Sequence, residues 1–430
     1  MTTTLVIVAF AAAYVLIATE RIHRVAAALG GAAVMVLLGV VDAQVAFFSA
    51  DTGVDWNVIF LLLGMMVIVG VLRRTGVFEW AAIWSAKKAG GRPFLILAVL
   101  VVLTAVASAL LDNVTTVLLV APVTLLVCEQ IDAPPMPFLV AEVMASNIGG
   151  TATLIGDPPN IIIASRSGLG FDDFLVNLAP IASVLVVVLV GLCWLMFRSA
   201  LAFRPDRVRE LMALDEREAI TDVPLLVRSA VVLAAVLAGF MLHQLLDVEP
   251  SIVALLGAGT LVALSRLEPA DYLADVEWST LVFFMGLFVM VGALVEVGAI
   301  ADLAQWATSA IGDHYLLGST VLLFASGLFS GVIDNIPYVA TMAPLVQDVV
   351  REGHGAPGAD ALWWALALGA DLGGNATAVG ASANVVVLGI AARNGHPISF
   401  WQFTRYGVVV AGTTVVLAWV YVALRYFVLA

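Results

Sequence analysis

Charged residues are scarce in this chain of 430 residues. Asp, Glu, Lys and Arg make up 12% of it and apolar residues make up 62%, whereas charged residues account for about a quarter of a soluble domain. A membrane-spanning helix needs about 20 apolar residues, so the chain holds enough for on the order of ten such helices. We therefore predict an all-α polytopic membrane protein. The long apolar runs also exclude an outer-membrane barrel, which would show short alternating strands.

Cysteine and clustered basic side chains are also lacking. The two cysteines, Cys128 and Cys193, supply neither a disulfide framework nor a metal site, so we expect no metal and no cofactor beyond a coupling ion, H+ or Na+. A net charge of -13 without a basic face excludes a nucleic-acid partner. No nucleophile with a neighbouring base and no paired histidines are visible, so we do not expect an enzyme.

The chain is an internal duplication. At a fixed offset of 222 residues the halves share Trp56 and Trp278, Gly64 and Gly286, Ser108 and Ser330, Asp112 and Asp334, and Asn113 and Asn335. We predict repeat 1 over residues 1–197, a cytoplasmic linker over 198–223 and repeat 2 over 224–430. Because each repeat has an odd number of crossings, the two copies are predicted to have inverted topology.

Each repeat contains a helical hairpin followed by a broken helix. The hairpins are predicted over residues 93–130 and 315–350, and the broken helices over 137–165 and 361–392. The interruptions read GGTATLIGDPPN at 149–160 and GGNATAVGASAN at 373–384. Interrupted backbone is tolerated inside a membrane only where protein or a wet cavity surrounds it. Paired broken helices are also the best sequence pointer to the binding site of a transporter.

Carboxylic acids, and no basic side chains, mark the predicted membrane interior. Ionisable groups are costly there and are functional candidates by default, and the candidates are Asp112, Glu142, Asp157, Asp334 and Asp371. Such a site suits a cation, a proton or a neutral polyhydroxy solute better than an anion. Desolvation and like-charge neighbours make Asp112, Asp334, Glu142 and Asp371 candidate proton carriers. For Glu142 a purely interhelical role stays open.

Basic residues in the short loops indicate the orientation. With the N-terminus outside, sixteen Lys and Arg residues fall in inner loops and three in outer ones. The positive-inside rule then predicts a multi-pass protein of the cell (inner) membrane with both termini outside.

Four segments resemble the ArsB/NhaD branch of the ion transporter superfamily, which includes the arsenical pump membrane proteins and the melanosomal P protein. They are DNVTTVLLVAPV at 112–123, AEVMASNIGGTATLIGDPPN at 141–160, DNIPYVATMAPL at 334–345 and GADLGGNATAVGASANVVVLGIA at 369–391. The resemblance implies about ten transmembrane helices and two re-entrant hairpins. It also implies a homodimer in which a scaffold domain holds elevator-type transport domains.

The resemblance further implies a set of substrate- or ion-binding residues. They are Asp112, Asn113, Thr115 and Thr116 at the first hairpin, Asn147, Gly150, Thr151, Thr153, Asp157 and Asn160 at the first break, Asp334 and Asn335 at the second hairpin, and Asp371, Asn375, Thr377, Ser382 and Asn384 at the second break. Dicarboxylate members of the superfamily carry Ser-Asn-Thr where this chain has Asp-Asn-Val and Asp-Asn-Ile. The added negative charge argues against citrate or succinate.

These features together predict a secondary active transporter. The leading hypothesis is proton-coupled efflux of arsenite or antimonite, whose neutral trihydroxides need hydrogen bonds and no positive side chain. A Na+/H+ antiporter is the alternative, and an anion transporter or channel for chloride or a carboxylate is the third. The expected partners are a small inorganic solute or ion, the lipid bilayer, a second copy of the chain and, for an arsenical pump, a soluble ATPase.

Overall fold

Helices make up all the regular structure in the part of the chain that the structure describes. The computed structural model describes residues 2–19, 21–49, 51–201, 215–312, 314–353, 356 and 358–429. Residues 202–214, half of the linker predicted over 198–223, lie outside this set. The all-α class predicted from composition is confirmed.

Within the described ranges, ten helices precede the linker and ten follow it. The first ten are α1 (Thr2–Thr19), α2 (Arg24–Leu37), α3 (Ala43–Phe48), α4 (Trp56–Arg73), α5 (Val77–Lys88), α6 (Pro93–Leu110), α7 (Asn113–Gln130), α8 (Pro135–Gly150), α9 (Pro158–Ser167) and α10 (Phe171–Phe197). The second ten are α11 (Val223–Leu246), α12 (Pro250–Ser265), α13 (Pro269–Ala274), α14 (Trp278–Glu296), α15 (Ala299–Ile311), α16 (Tyr315–Ser330), α17 (Asn335–Glu352), α18 (Ala361–Gly373), α19 (Ser382–Arg393) and α20 (Phe400–Ala423). Each helix of the first set therefore has a counterpart ten places later.

Equivalent residues make equivalent hydrogen bonds in the two copies. Thr153 Oγ1 donates to the carbonyl of Ala109 at 2.6 Å, and Thr377 Oγ1 donates to that of Gly331 at 2.7 Å. The same correspondence holds for two serines, since Ser108 Oγ donates to Ser146 O and Ser330 Oγ to Ala370 O. These bonds tie each hairpin to its own broken helix, so the duplication seen in the sequence is also a duplication of structure.

The two copies are interlocked through reciprocal helix contacts. A Cβ atom added to Gly64 of α4 would lie within 3 Å of the backbone of Ala254 in α12, and one added to Gly286 of α14 would meet Ala28 of α2 in the same way. Each copy thus packs its fourth helix against the second helix of the other copy. Such an exchange is expected for inverted repeats related by a pseudo-twofold axis.

Ten crossings and two re-entrant hairpins describe the helix pattern. By length and composition seven described helices can span a bilayer, namely α4, α6, α7, α10, α11, α14 and α20, and six shorter apolar helices accompany them. Only five of these seven are crossings, since α6 and α7 form a hairpin. The other five crossings are missed because α1, α2 and α12 are too short for the criterion and two crossings are divided, one between α8 and α9 and the other between α18 and α19. The hairpins are α6 with α7 and α16 with α17. Four helices lie outside the long apolar runs, namely α3, α5, α13 and α15.

The contact between α6 and α8 gives a stability test. A Cβ atom on Gly149 would lie 2.2 Å from the carbonyl oxygen of Ala105. We therefore expect Gly149→Ala to destabilise the protein by about 1–3 kcal/mol, the usual range for overpacking. Thermal unfolding in detergent measures the effect. Gly191→Ala in α10 is the matched control, because nothing lies within 4 Å of its added Cβ. Equal melting temperatures for the two variants would contradict the close packing.

Candidate functional site

Both helix breaks are buried, and a side-chain amide satisfies the backbone that each one frees. In the first break Asn160 Nδ2 donates to the carbonyl of Thr153 at 3.0 Å, with Gly150 O and Thr151 O at 3.4–3.5 Å. In the second, Asn384 Nδ2 donates to Gly374 O and Thr377 O, each at 2.8 Å. Since hydrocarbon offers no partner for a free carbonyl, these amides make the interruptions possible inside the membrane.

The tips of the two hairpins meet at one buried carboxylate, that of Asp157. Asn113 Nδ2, at the start of α7, donates to Asp157 Oδ2 at 2.8 Å. Asn335 Nδ2, at the start of α17, lies 3.4 Å from each oxygen of the same carboxylate. Asp157 therefore joins the first break to the hairpins of both repeats.

Asn147 of α8 extends this network to the second break. Its Nδ2 donates to Asn375 Oδ1 at 3.0 Å and to Asn384 Oδ1 at 3.1 Å. Its own Oδ1 accepts from Asn113 Nδ2 at 3.2 Å. The structure thus brings the four segments singled out in the sequence into one buried amide and carboxylate cluster.

The two tip aspartates act as helix caps and are half-buried. The backbone N–H of Thr115 donates to Asp112 Oδ1 at 2.7 Å, and that of Ile336 donates to Asp334 Oδ1 at 3.0 Å. Carboxylates at helix N-termini are favoured both by such bonds and by the helix dipole. Each aspartate keeps one oxygen outside its cap bond, and that of Asp334 accepts from Ser382 Oγ.

A basic side chain reaches the site, and the expectation that none would do so is wrong. Arg24 Nη1 lies 3.7 Å from Asp334 Oδ2 and donates to Ser382 Oγ, whose hydroxyl donates in turn to Asp334. Arg24 Nη2 donates to Thr280 Oγ1 at 3.3 Å, and Thr280 donates to Glu277 at 3.0 Å. In the sequence Arg24 is one of the sixteen basic residues predicted for the inner loops, because it precedes an apolar run. In the structure it occupies the first turn of α2, where a long side chain can reach the hairpin tip.

Several buried oxygen atoms near the breaks have no hydrogen-bond donor among the described residues. They are both carboxylate oxygens of Asp371 and the amide oxygens of Asn113 and Asn160. Thr151 and Asn160 lie beside Asp371, but their donors are directed to backbone carbonyls. An excess of buried acceptors is chemically matched by a cation, a proton or a hydroxylated solute.

The other predicted residues lie around this cluster in different roles. Thr151, Thr153 and Thr377 donate to backbone carbonyls and so hold the breaks in shape. Thr116 Oγ1 is buried without a partner in the described part of the chain. Glu142 is buried on α8, where it accepts from Thr124 Oγ1, and the described hydrogen bonds do not connect it to Asp157.

A cavity of about 570 Å³ adjoins the first break. Leu154 and Ile161 line it from the break and α9, while Asn57 and Val58 of α4 and Ser251 of α12 line the opposite wall. At the corresponding place beside the second break, Arg24 contacts Asp334, Ser382 and Thr280. The two ends of the duplicated fold therefore differ in this conformation.

Comparison with known proteins gives matches along nearly the whole chain. The model of the family CitMHS, described as "Citrate transporter", matches residues 14–369. An uncharacterized transporter of Mycobacterium tuberculosis is 56% identical over 420 residues, which cover 98% of each chain. The P protein of Sus scrofa is 32% identical over 94% of this chain and 57% of its own length.

A solved structure has a similar fold. It is the YdaH transporter of Alcanivorax borkumensis, described as having an unusual topology, and it matches with a TM-score of 0.57 at 15% sequence identity. The match covers 85% of this chain and 84% of that one.

Two carboxylates in the site are expected to respond oppositely to neutralisation. Asp157→Asn replaces an acceptor of two amide donors, so we expect it to lower the free energy of unfolding by about 1–3 kcal/mol. Asp371→Asn replaces a buried carboxyl group whose two oxygens have no donor among the described residues, so stability should be unchanged or raised. Thermal unfolding of both variants, at equal detergent and pH, makes the comparison. A larger loss for Asp371→Asn than for Asp157→Asn would contradict the central position of Asp157.

Proposed function

The chain belongs to the citrate transporter family CitMHS and is a membrane transporter, and we propose that it works as a secondary active transporter coupled to protons. The observation that carries the proposal is the meeting of both hairpin tips and both breaks around Asp157. Opposed half-sites from inverted copies provide one binding place between two aqueous sides.

A proton as the coupling ion is supported by the charges at the site. Asp112, Asp157, Asp334 and Asp371 come from four different segments, and the same region holds Glu277. Like charges brought together in a buried place favour the uptake of protons. Arg24 neutralises at most one of these groups, so binding a proton is the simplest way to balance the rest.

We propose arsenite or antimonite as the solute, moved outward in exchange for protons. As neutral trihydroxides near pH 7, both present three O–H donors and several acceptors. The buried oxygens of Asp371, Asn113 and Asn160 accept such donors, and the half-buried Asp112 and Asp334 flank them. Both cysteines lie elsewhere in the core, so the proposed binding uses oxygen and nitrogen ligands.

Sodium is the second candidate, and the unpartnered oxygens of Asp371 favour it. Carboxylate, amide and backbone oxygens are the ligands of hard cations, and a Na+/H+ antiporter would use the same cluster. An anion, either chloride or a carboxylate, is the third candidate. It is favoured by Arg24 and by the description of the family as citrate transporters.

The mode of action belongs to the same proposal. The segment likeness to the ArsB/NhaD branch and the similarity to the P protein support an elevator motion, with a homodimeric scaffold holding the hairpins and broken helices as mobile units. Residues 1–197 and 224–430 would then be the inverted halves around a cytoplasmic linker at 198–223. We place the protein in the inner membrane with both termini outside, and a soluble ATPase is a partner only if it is an arsenical pump.

Flux into proteoliposomes tests the function. Purified protein should move arsenite or antimonite, and do so faster when a pH gradient is imposed, because proton movement provides the driving force. Asp112→Asn and Asp334→Asn should each reduce this gradient-driven flux by at least about tenfold, since neutralising one acid in a proton-coupled site removes more than about 1.4 kcal/mol of coupling. Na+, chloride and citrate serve as competing substrates in parallel assays. Arsenite flux that ignores both the gradient and the two variants would overturn the proposal.

Glu142 gives a separate test of the proton path. Its Oε2 is buried without a partner, and Thr124 donates to Oε1. If Glu142 carries the coupled proton, Glu142→Gln should abolish the response of flux to the pH gradient while solute exchange at equilibrium persists. Thr124→Val is the control, because it removes the donor but keeps the acid. An undiminished gradient response in Glu142→Gln would assign Glu142 a structural role.

A further inference from the structure

The second hairpin tip is tied to α2 and α14 through Arg24, and no described cation pairs with Asp112 at the first tip in the same way. Arg24 of α2 bridges Asp334 and Ser382 on one side and Thr280 of α14 on the other. Arg24 and Thr280 belong to the pair of helices that interlocks the two copies, whereas Asp334 and Ser382 belong to the hairpin and break. The Arg24 cluster, meaning these four residues, therefore joins two different parts of the fold.

The internal symmetry identifies the positions that would form the opposite contact. Gly64 packs against Ala254 of α12, and its equivalent Gly286 packs against Ala28 of α2. Ala28 and Ala254 are therefore equivalent positions, 226 residues apart, and by the same offset Pro250 is equivalent to Arg24. The offset of 222 places Val58 at the position of Thr280. The offset of 224 between the breaks places Pro158 at the position of Ser382.

The opposite end lacks the chemistry of the Arg24 cluster. Pro250 has no charge and Val58 has no hydroxyl, so Asp112 would find no cation there. Val58 and Pro250 instead line the cavity of about 570 Å³, which Leu154 of the first break and Ile161 of α9 also line. One end of the fold is thus closed by an ion pair. At the equivalent end the positions that correspond to Arg24 and Thr280 supply no ion pair among the described residues, and α9 is held to the start of α4 by the hydrogen bond from Ser165 Oγ to Asp55 Oδ2.

We infer that Arg24 is a positioning residue that holds Asp334 and Ser382 against α2 and α14 in one of two conformations and has no counterpart in the other. The inference rests on the proposed function, because it requires the hairpins and breaks to move between the two ends. In this role Arg24 sets the relative populations of the two conformations and does not need to contact the solute. Because the side chain of Arg24 is 28% exposed and that of Asp334 is 19% exposed, water and salt can weaken their pairing.

A cysteine pair placed at the opposite end reports the second conformation. Cys128→Ala and Cys193→Ala remove the native thiols, and Val58→Cys with Pro158→Cys adds the pair predicted to approach there. In the full-length protein a short bifunctional thiol reagent should link this pair slowly. Adding Arg24→Ala should raise the rate by about threefold to tenfold, as expected for loss of a partly exposed ion pair. Arg24→Lys should restore a slow rate, and Arg21→Ala, at an exposed position three residues away, should leave it unchanged.

Salt gives a readout that does not depend on how well the Arg24 variants fold. Raising the KCl concentration should speed cross-linking of the pair when Arg24 is present and should have little effect in Arg24→Ala. A pair that cross-links at the same rate with Arg24, with Arg24→Ala and at all salt concentrations would overturn the role of Arg24 and leave the motion intact. A pair that never cross-links would overturn the motion itself, and the proposed function with it.

Discussion

The need to satisfy interrupted backbone inside a membrane governs this structure. Two helices stop in the buried interior, and each break survives because one asparagine amide, from Asn160 or Asn384, returns to the carbonyls that the helix has released. Glycines, which have no side chain, let each hairpin pack close to its broken helix, so that Thr153 and Thr377 can donate to backbone carbonyls of the hairpins. The same polar groups form the candidate site, because the nitrogen of each amide satisfies a carbonyl while its oxygen can accept another donor. Asn384 Oδ1 accepts from Asn147, and Asn160 Oδ1 has no donor among the described residues.

Duplication supplies two similar halves, and the departures from symmetry give the halves different chemistry. Asp157 in the first break corresponds to Ala381 in the second, so a single carboxylate receives the asparagines of both tips. A second aspartate there would place two charges against the same two donors, at a high desolvation cost. Arg24 and Pro250 differ in the same manner at the ends of the interlocking helices. A symmetric fold therefore holds an asymmetric arrangement of charge.

Much of this architecture could be predicted from the sequence, because its signals are local or periodic. Long apolar runs indicate the helices, the fixed offset between Asp112 and Asp334 indicates the repeat, and two Gly-rich interruptions indicate the breaks. The convergence of both tips on Asp157 could not be predicted, since it depends on the relative placement of four segments. Arg24 was missed for the same reason: it contacts a serine 358 residues away, and an arginine at the start of an apolar run looks like any loop residue. Helices of six residues, such as α3 and α13, are too short to show a period.

The charges around Arg24 bear on which solute the site can accept. The guanidinium already pairs with Asp334 and donates to Ser382 and Thr280, so an incoming anion would have to take Arg24 away from these partners. Asp334 would then stand near Asp112 and Asp157 without a countercharge, and the anion would add negative charge to the same region. A cation or a neutral trihydroxide imposes no such exchange, because it can bind to the oxygens that lack donors while the ion pair stays intact. An anionic substrate, of the kind the family description names, is compatible with this chain only if it enters with protons or a metal cation that cancel its charge.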